Sequence, residues 1–150
     1  MDVMTYDEYK DLFYWIIDCY ATGYHDDFKY SFSITLKENG RHIGWCGIGG
    51  SNYDHNIKEI YYLIERKNWG KGYAKESSTA LLDYSFRVMG LKEVAGLCRP
   101  ENIASQKVIE NMGMKVRYKI EGLPEEHDFY NGEYFRSITR EEYFALKATN

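Results

Sequence analysis

Trp69-Gly70-Lys71-Gly72-Tyr73-Ala74 is the stretch whose residue types point most directly to chemistry. It follows a run that reads as a strand, Lys58 to Glu65, and it opens a run of helical periodicity, Ala74 to Met89. A glycine-rich turn between a strand end and a helix start leaves backbone N–H groups unpaired and directed outward. The helix dipole adds partial positive charge at the same place, which suits a phosphate. Gly70 and Gly72 carry no Cβ, so backbone and phosphate can approach closely and positive φ is allowed. The stretch predicts a pyrophosphate cradle; the competing reading is a tight turn that uses glycine for geometry alone. A nucleotide P-loop is excluded because no Gly-Lys-Ser/Thr occurs, and Lys75 stands where the dinucleotide fingerprint needs its third glycine.

Other chemistries find less support. Cys19, Cys46 and Cys98 are odd in number and far apart, with neither metal-ligand spacing nor a disulfide framework, and this pattern predicts a reducing, cytoplasmic setting. His25, His42, His55 and His127 form no close pair, so no metal is expected. A net charge of −4 argues against general nucleic-acid binding and mildly suits a cationic substrate such as an amine. The most apolar N-terminal run, Leu12 to Ile17, stops at Asp18 without a basic segment before it, so neither a signal peptide nor a membrane span is expected. The 150 residues predict a single domain over 1–150, and the fifteen tyrosines suit a lined groove or an interface.

The elements that must position the loop follow from periodicity. Thr5-Tyr6-Asp7-Glu8 is a capping box, and Tyr9, Leu12, Phe13, Ile16, Ile17 and Tyr20 then recur as a core-packing helical stripe closed by Gly23. Tyr24 to Lys29 reads as a loop. Tyr30, Phe32, Ile34 and Leu36 alternate as a half-buried strand, Asn39-Gly40 turns it back, and Arg41 to Ile48 returns with Gly44 and Gly47 marking bulges or close backbone approach. The strand from about Ile57 to Glu65 completes an antiparallel meander and enters the glycine loop. In the next helix, Tyr73, Ser77, Leu81, Tyr84 and Val88 line one face, and Gly90 ends it. Val94 to Cys98 reads as a short strand parallel to the one before the loop. Asn102 caps a helix with Ala104, Val108 and Met112 on one face and Gly113 at its end. Strands Met114–Ile120 and Glu133–Ile138 enclose a loop from Gly122 to Gly132, and Thr139-Arg140-Glu141-Glu142 opens a terminal helix with a second capping box. The expected fold class is α+β.

In this order of elements, Tyr30 to Met114 resembles the GNAT superfamily of N-acetyltransferases, and within it the branch that includes the ribosomal-protein N-terminal acetyltransferases. The family's loop, Gln/Arg-x-x-Gly-x-Gly/Ala, is matched by Trp69, Gly72 and Ala74, with Trp departing from the general pattern. Asn102 to Met114 is similar to the family's Asn-x-x-Ser…Gly-Phe/Met segment. The resemblance implies a twisted, mostly antiparallel sheet flanked by helices, with a splayed parallel pair of strands forming an acetyl-CoA cleft. It implies that pantetheine pairs with backbone of Tyr62, Leu63 and Ile64, that backbone N–H groups of Gly70, Lys71, Gly72, Tyr73, Ala74 and Lys75 hold the pyrophosphate, that Trp69 and Ser105 also contact the cofactor, and that Asn102 bonds the pantetheine arm. A plain helix N-cap is the other reading of Asn102.

The implied reaction moves acetyl from acetyl-CoA to a primary amine, either a protein N-terminus or a small molecule. An amine of pKa about 10.4 must lose a proton before attack. Glu59, flanked by Ile57 and Ile60 on the strand entering the loop, is the candidate base, against an exposed strand carboxylate paired with Lys58 or Arg41. The Tyr acid that many members carry is replaced by Ile109, and Ser105 is the candidate proton donor to the thiolate, against ordinary helix N-terminal bonding. Tyr53 and His55 are candidates to border the amine site. A non-catalytic acyl-CoA-binding sensor is the alternative. The family's usual first strand and helix are not found ahead of Thr5, so either a neighbour covers the sheet edge or the N-terminus is truncated; a homodimer is expected on that ground.

Overall fold

The computed structural model describes residues 5–23 and 27–149. Thr5 caps helix α1 (Tyr6–Thr22) through its hydroxyl, which accepts from the Glu8 N–H, while the Glu8 carboxylate accepts from the Thr5 N–H at 2.7 Å. Gly23 closes it at φ 87°, where glycine avoids the Cβ strain of a positive φ. Positions 24–26 of the loop expected from Tyr24 to Lys29 lie outside the described residues, as does the side chain of Tyr9.

Strands β1 (Lys29–Thr35), β2 (His42–Gly50) and β3 (Lys58–Ile64) form the expected antiparallel meander. Gly47 is required by crowding: a Cβ there would lie 2.2 Å from the Tyr61 ring and 2.3 Å from the Tyr30 carbonyl oxygen. A 3-10 turn (Arg66–Asn68) and the glycine loop lead into α2 (Tyr73–Arg87). Then follow β4 (Glu93–Gly96), α3 (Ile103–Asn111), β5 (Lys115–Lys119), a 3-10 helix (Glu125–Tyr130), β6 (Tyr134–Thr139) and α4 (Arg140–Ala148). The six strands make one sheet in the order β1-β2-β3-β4-β6-β5, with β3 and β4 parallel and every other neighbouring pair antiparallel.

One face of the sheet carries the larger core, in which Ile48, Leu82, Phe86, Val94 and Ile138 are fully buried beside Ile109, Met112 and Tyr143. The opposite face carries a smaller cluster of Ala95, Ile120, Tyr130 and Phe135, with Tyr53, Ile57 and Leu97 against it. Removing each such side chain from water contributes about 1.5–3 kcal/mol.

Three expected faces are corrected by this packing. In α1 the aromatic stripe is largely outside the core: Phe13 is 63% and Ile17 58% exposed, and Cys19 is the buried residue of that helix. The inward face of α2 is Ser78, Leu81, Leu82, Ser85 and Phe86, one position round from the expected row, leaving Tyr84 and Val88 exposed. Apolar count alone cannot locate a face that small serines share with leucines. In β5, Val116 and Tyr118 are exposed, because β5 is a sheet edge and only the flanking Met114 and Ile120 reach the core.

At the other edge, α1 itself covers part of β1. The Tyr20 hydroxyl accepts from the Ser31 N–H at 2.7 Å and donates to the Ser31 carbonyl, satisfying one outward-facing pair of backbone groups.

Candidate active site

The glycine loop has the properties of an anion cradle. Gly70 and Gly72 have φ 73° and 85°, and a Cβ at either would meet nothing within 4 Å, so backbone conformation and open space set both positions. Gly72 is the N-cap of α2, and no side chain caps the first turn. The orphan N–H groups of that turn therefore remain available to a phosphate. Asn68, which sequence reasoning missed, is buried beneath the loop and braces it: its amide donates to Glu65 Oε2 at 2.9 Å, and its Oδ1 accepts from Lys71 Nζ and Arg41 at 3.4 Å. Lys67, and then Arg41, hold the same Glu65 carboxylate below its usual pKa.

The cleft begins where β3 and β4 part. They pair in the ladder at Glu59↔Ala95, and among the described residues no ladder pair follows toward the loop. Glu65 N–H donates to Ile43 O at 2.8 Å, and this antiparallel register alternates, so Leu63 and Tyr61 direct their backbone groups at β2 while Tyr62 and Ile64 direct theirs at the cleft. The Ile64 carbonyl accepts from Trp69 Nε1 at 2.6 Å. An added chain thus meets the Tyr62 N–H and C=O and the Ile64 N–H, and the Leu63 backbone is already engaged with β2.

Two groups of side chains flank the cleft on opposite faces of β3. On the face of the larger core, the Tyr62 hydroxyl is buried without a hydrogen-bond partner, next to Ser105 and within electrostatic reach of Cys98. Burial pushes the Tyr62 hydroxyl and the Cys98 thiol up from their usual pKa values. Asn102 caps α3, its Oδ1 accepting from the Ser105 N–H at 3.1 Å, while the Ser105 side chain lies beside the Tyr62 hydroxyl. Ile109 fills the core at its position, 3% exposed.

On the other face stands Glu59. It is half-buried and is not the exposed, Lys-paired carboxylate of the competing reading: Ser51 Oγ donates to its Oε2 at 2.6 Å, and the Leu97 N–H is directed at it. Arg41, the other partner considered, is bound to Glu65 and Asn68 instead. Burial pushes the Glu59 pKa up, against the lowering effects of Ser51, Leu97 and Lys29. Ser51 is fully buried and is itself held by the turn, its Oγ accepting from the Tyr53 N–H at 3.2 Å. Nearby are Tyr130 and Glu133, both buried and both within electrostatic reach of Glu59. Tyr53 packs edge-on against Tyr130 with ring centroids 5.6 Å apart, while His55 lies exposed in the same loop. Ser51 comes from one turn and Tyr130 and Glu133 from another, closed by the Glu133 N–H donating to the Tyr130 carbonyl at 3.0 Å, and no local spacing ties them to Glu59; the Gly49-Gly50-Ser51 turn was the only available signal.

The family model for the acetyltransferase (GNAT) domain matches residues 3–115. The chain belongs to the GNAT acetyltransferase family. It is 32% identical over 116 residues to the uncharacterized N-acetyltransferase p20 of Bacillus licheniformis, covering 75% of this chain and 63% of that protein. It is 30% identical over 120 residues to the FsC-acetyl coenzyme A-N(2)-transacetylase of Aspergillus fumigatus, covering 72% of this chain and 50% of that one. A GNAT-family acetyltransferase from Bacillus anthracis superposes with TM-score 0.66 at 25% identity, over 93% of this chain and 78% of its own. The spermidine N-acetyltransferase of Vibrio cholerae, solved with CoA and spermine, shares the fold, with TM-score 0.70 at 22% identity over 95% and 79% of the two chains. The chain spans 46–65% of the length of the curated relatives it matches first. The α+β architecture expected from the order of elements is the GNAT fold. Among the described residues no group of His, Cys, Asp or Glu side chains is arranged to hold a metal ion, and no helix is long and apolar enough to cross a membrane.

Proposed function

We propose that this GNAT domain transfers an acetyl group from acetyl-CoA to a primary amine, with Glu59 as the base and Ser105 as the proton donor to the leaving sulfur. The carrying observation is the parting of β3 from β4 after Glu59↔Ala95. It leaves backbone groups at Tyr62 and Ile64 facing a gap, with an anion cradle at one end and a raised-pKa carboxylate at the other. Unpaired backbone groups are costly to bury, and an extended chain lying along β3 would satisfy them.

Acetyl-CoA supplies an activated acyl carbon and a thiol leaving group. Gly70 to Lys75 would bind its pyrophosphate through backbone N–H groups, Trp69 would wall the loop, and Tyr62 and Ile64 would pair its amide-bearing arm. Glu59 takes a proton from the acceptor ammonium, a task helped by a pKa raised toward the working pH. Ser51 fixes the direction of the accepting carboxylate. Ser105, beside the buried Tyr62 hydroxyl, delivers a proton at the other side of the cleft. The acceptor is a protein N-terminus or a small-molecule amine. Free Cys19, Cys46 and Cys98 support a cytoplasmic setting.

Isothermal titration of acetyl-CoA and CoA tests the reading, with Gly72→Glu as the control. Binding by the wild type, lost in the variant, together with thiol release on addition of amines, is the expected result. Binding without turnover of any amine would favour an acyl-CoA sensor, and no binding would remove the acetyl-CoA reading.

A further inference from the structure

We infer that Glu133 and Tyr130, together with Glu59, form an ammonium-binding pocket that favours amine acceptors lacking a carboxylate next to the reactive nitrogen. The inference rests on the acetyl-transfer reading above and names the acceptor class for it.

Glu133 is 5% and Tyr130 7% exposed. Among the described residues no hydrogen bond is made by the Glu133 carboxylate or the Tyr130 hydroxyl, and neither is among the polar atoms sealed from solvent without a partner, so both open outward from a largely buried side chain. The Glu133 N–H donates to the Tyr130 carbonyl at 3.0 Å, so both stand on one turn, and Tyr130 packs with Ala95, the ladder partner of Glu59, and with Leu97, whose N–H is directed at Glu59. Both groups also lie within electrostatic reach of Glu59. A buried carboxylate beside a second carboxylate is costly unless a cation or donors compensate. The two carboxylates are also unequal. Glu59 is held by the Ser51 hydroxyl and the Leu97 N–H, whereas Glu133 is left open. An oriented carboxylate suits proton abstraction, and an open one suits reception of a cation.

In the step itself, the docked ammonium gives one proton to Glu59 and its nitrogen bonds the acyl carbon as the carbon–sulfur bond breaks. Amide formation releases a second proton from that nitrogen, and the leaving sulfur takes up one through Ser105. The sum is ammonium plus thioester giving amide, thiol and one proton. A carboxylate on the carbon bearing the nitrogen would be brought against both Glu59 and Glu133, and like charges so placed are disfavoured.

Three matched pairs test this, each differing by that one carboxylate: butylamine and norvaline, 1,4-diaminobutane and ornithine, 2-phenylethylamine and phenylalanine. In the wild type, kcat/KM should favour the amine by about tenfold or more in each pair that turns over. Glu133→Gln should cut that preference to about threefold or less, with the loss falling on KM for the amine more than on kcat. A second readout is thermal. Burial, then Glu59, raises the Glu133 pKa, with Arg99 opposing and Glu101 and Tyr130 as the other titratable neighbours. The ionised carboxylate is therefore a strain on the fold at pH 8 that is absent where both folded and unfolded chains hold the proton. Glu133→Gln should raise Tm at pH 8 and leave it unchanged near pH 4. An unchanged preference, equal losses in both members of each pair, or a lowered Tm at pH 8 overturns the pocket. Turnover of no amine by a wild type that binds acetyl-CoA also overturns it, while failure to bind acetyl-CoA strikes the parent reading instead.

Discussion

A carboxylate that must take a proton near neutral pH needs burial to raise its pKa and a donor to aim it, and the two requirements oppose each other. At Glu59 burial prevails over the Ser51 and Leu97 hydrogen bonds. For a base, a raised pKa moves the acidic limb of the rate profile to higher pH, because activity is lost as the carboxylate protonates. Ser51→Ala removes a bond that stabilises the charged form, so the limb should move further up and kcat/KM should fall about tenfold. Glu59→Gln should lower kcat by about 100-fold or more and abolish that limb, with acetyl-CoA affinity nearly unchanged. Initial-rate profiles over about pH 5–9 measure both. Because Glu59 and Glu133 interact, the limb reports the pair rather than either group alone.

At the scale of elements, local chemistry was readable and long-range placement was not. Both capping boxes, Thr5/Glu8 and Thr139/Glu142, are formed, and the Arg117 guanidinium beside Glu142 helps hold that carboxyl down at about 2. Caps depend on residues three apart, so sequence contains the whole interaction. The inward face of α2 depends on which side chains β2, β3 and α3 present to it, and this is why Ser78 and Ser85 went unrecognised as buried. The same limit hid the candidate site: Glu59 announces itself by its neighbours along β3, whereas Ser51, Tyr130 and Glu133 reach it only through folding. Gly47 was readable as a position of close approach, and its cost can be measured. Gly47→Ala forces a methyl against Tyr61 and the Tyr30 carbonyl, and should destabilise the protein by about 2 kcal/mol or more in urea unfolding.

For the molecule as a whole, the surface of α1 is the feature that sequence periodicity misjudged. Phe13, Tyr14 and Ile17 lie outward beside β1, a sheet edge whose backbone Tyr20 caps at Ser31. An apolar helix face and a partly open edge on one side of the sheet both favour association. We propose a homodimer, and sedimentation velocity across a concentration series should show a dimer that Phe13→Glu shifts toward monomer. A purely monomeric wild type at every concentration would remove the proposal.

The single β3–β4 ladder pair has a mechanical consequence. In the ladder it joins two three-stranded halves, β1-β2-β3 and β4-β6-β5, which also share the core of Ile48, Ile60, Val94 and Ile138. The candidate base thus stands at the one ladder contact along this seam, so the same short stretch of β3 both closes the sheet and aims the carboxylate, and a substitution that loosens it would disturb both at once.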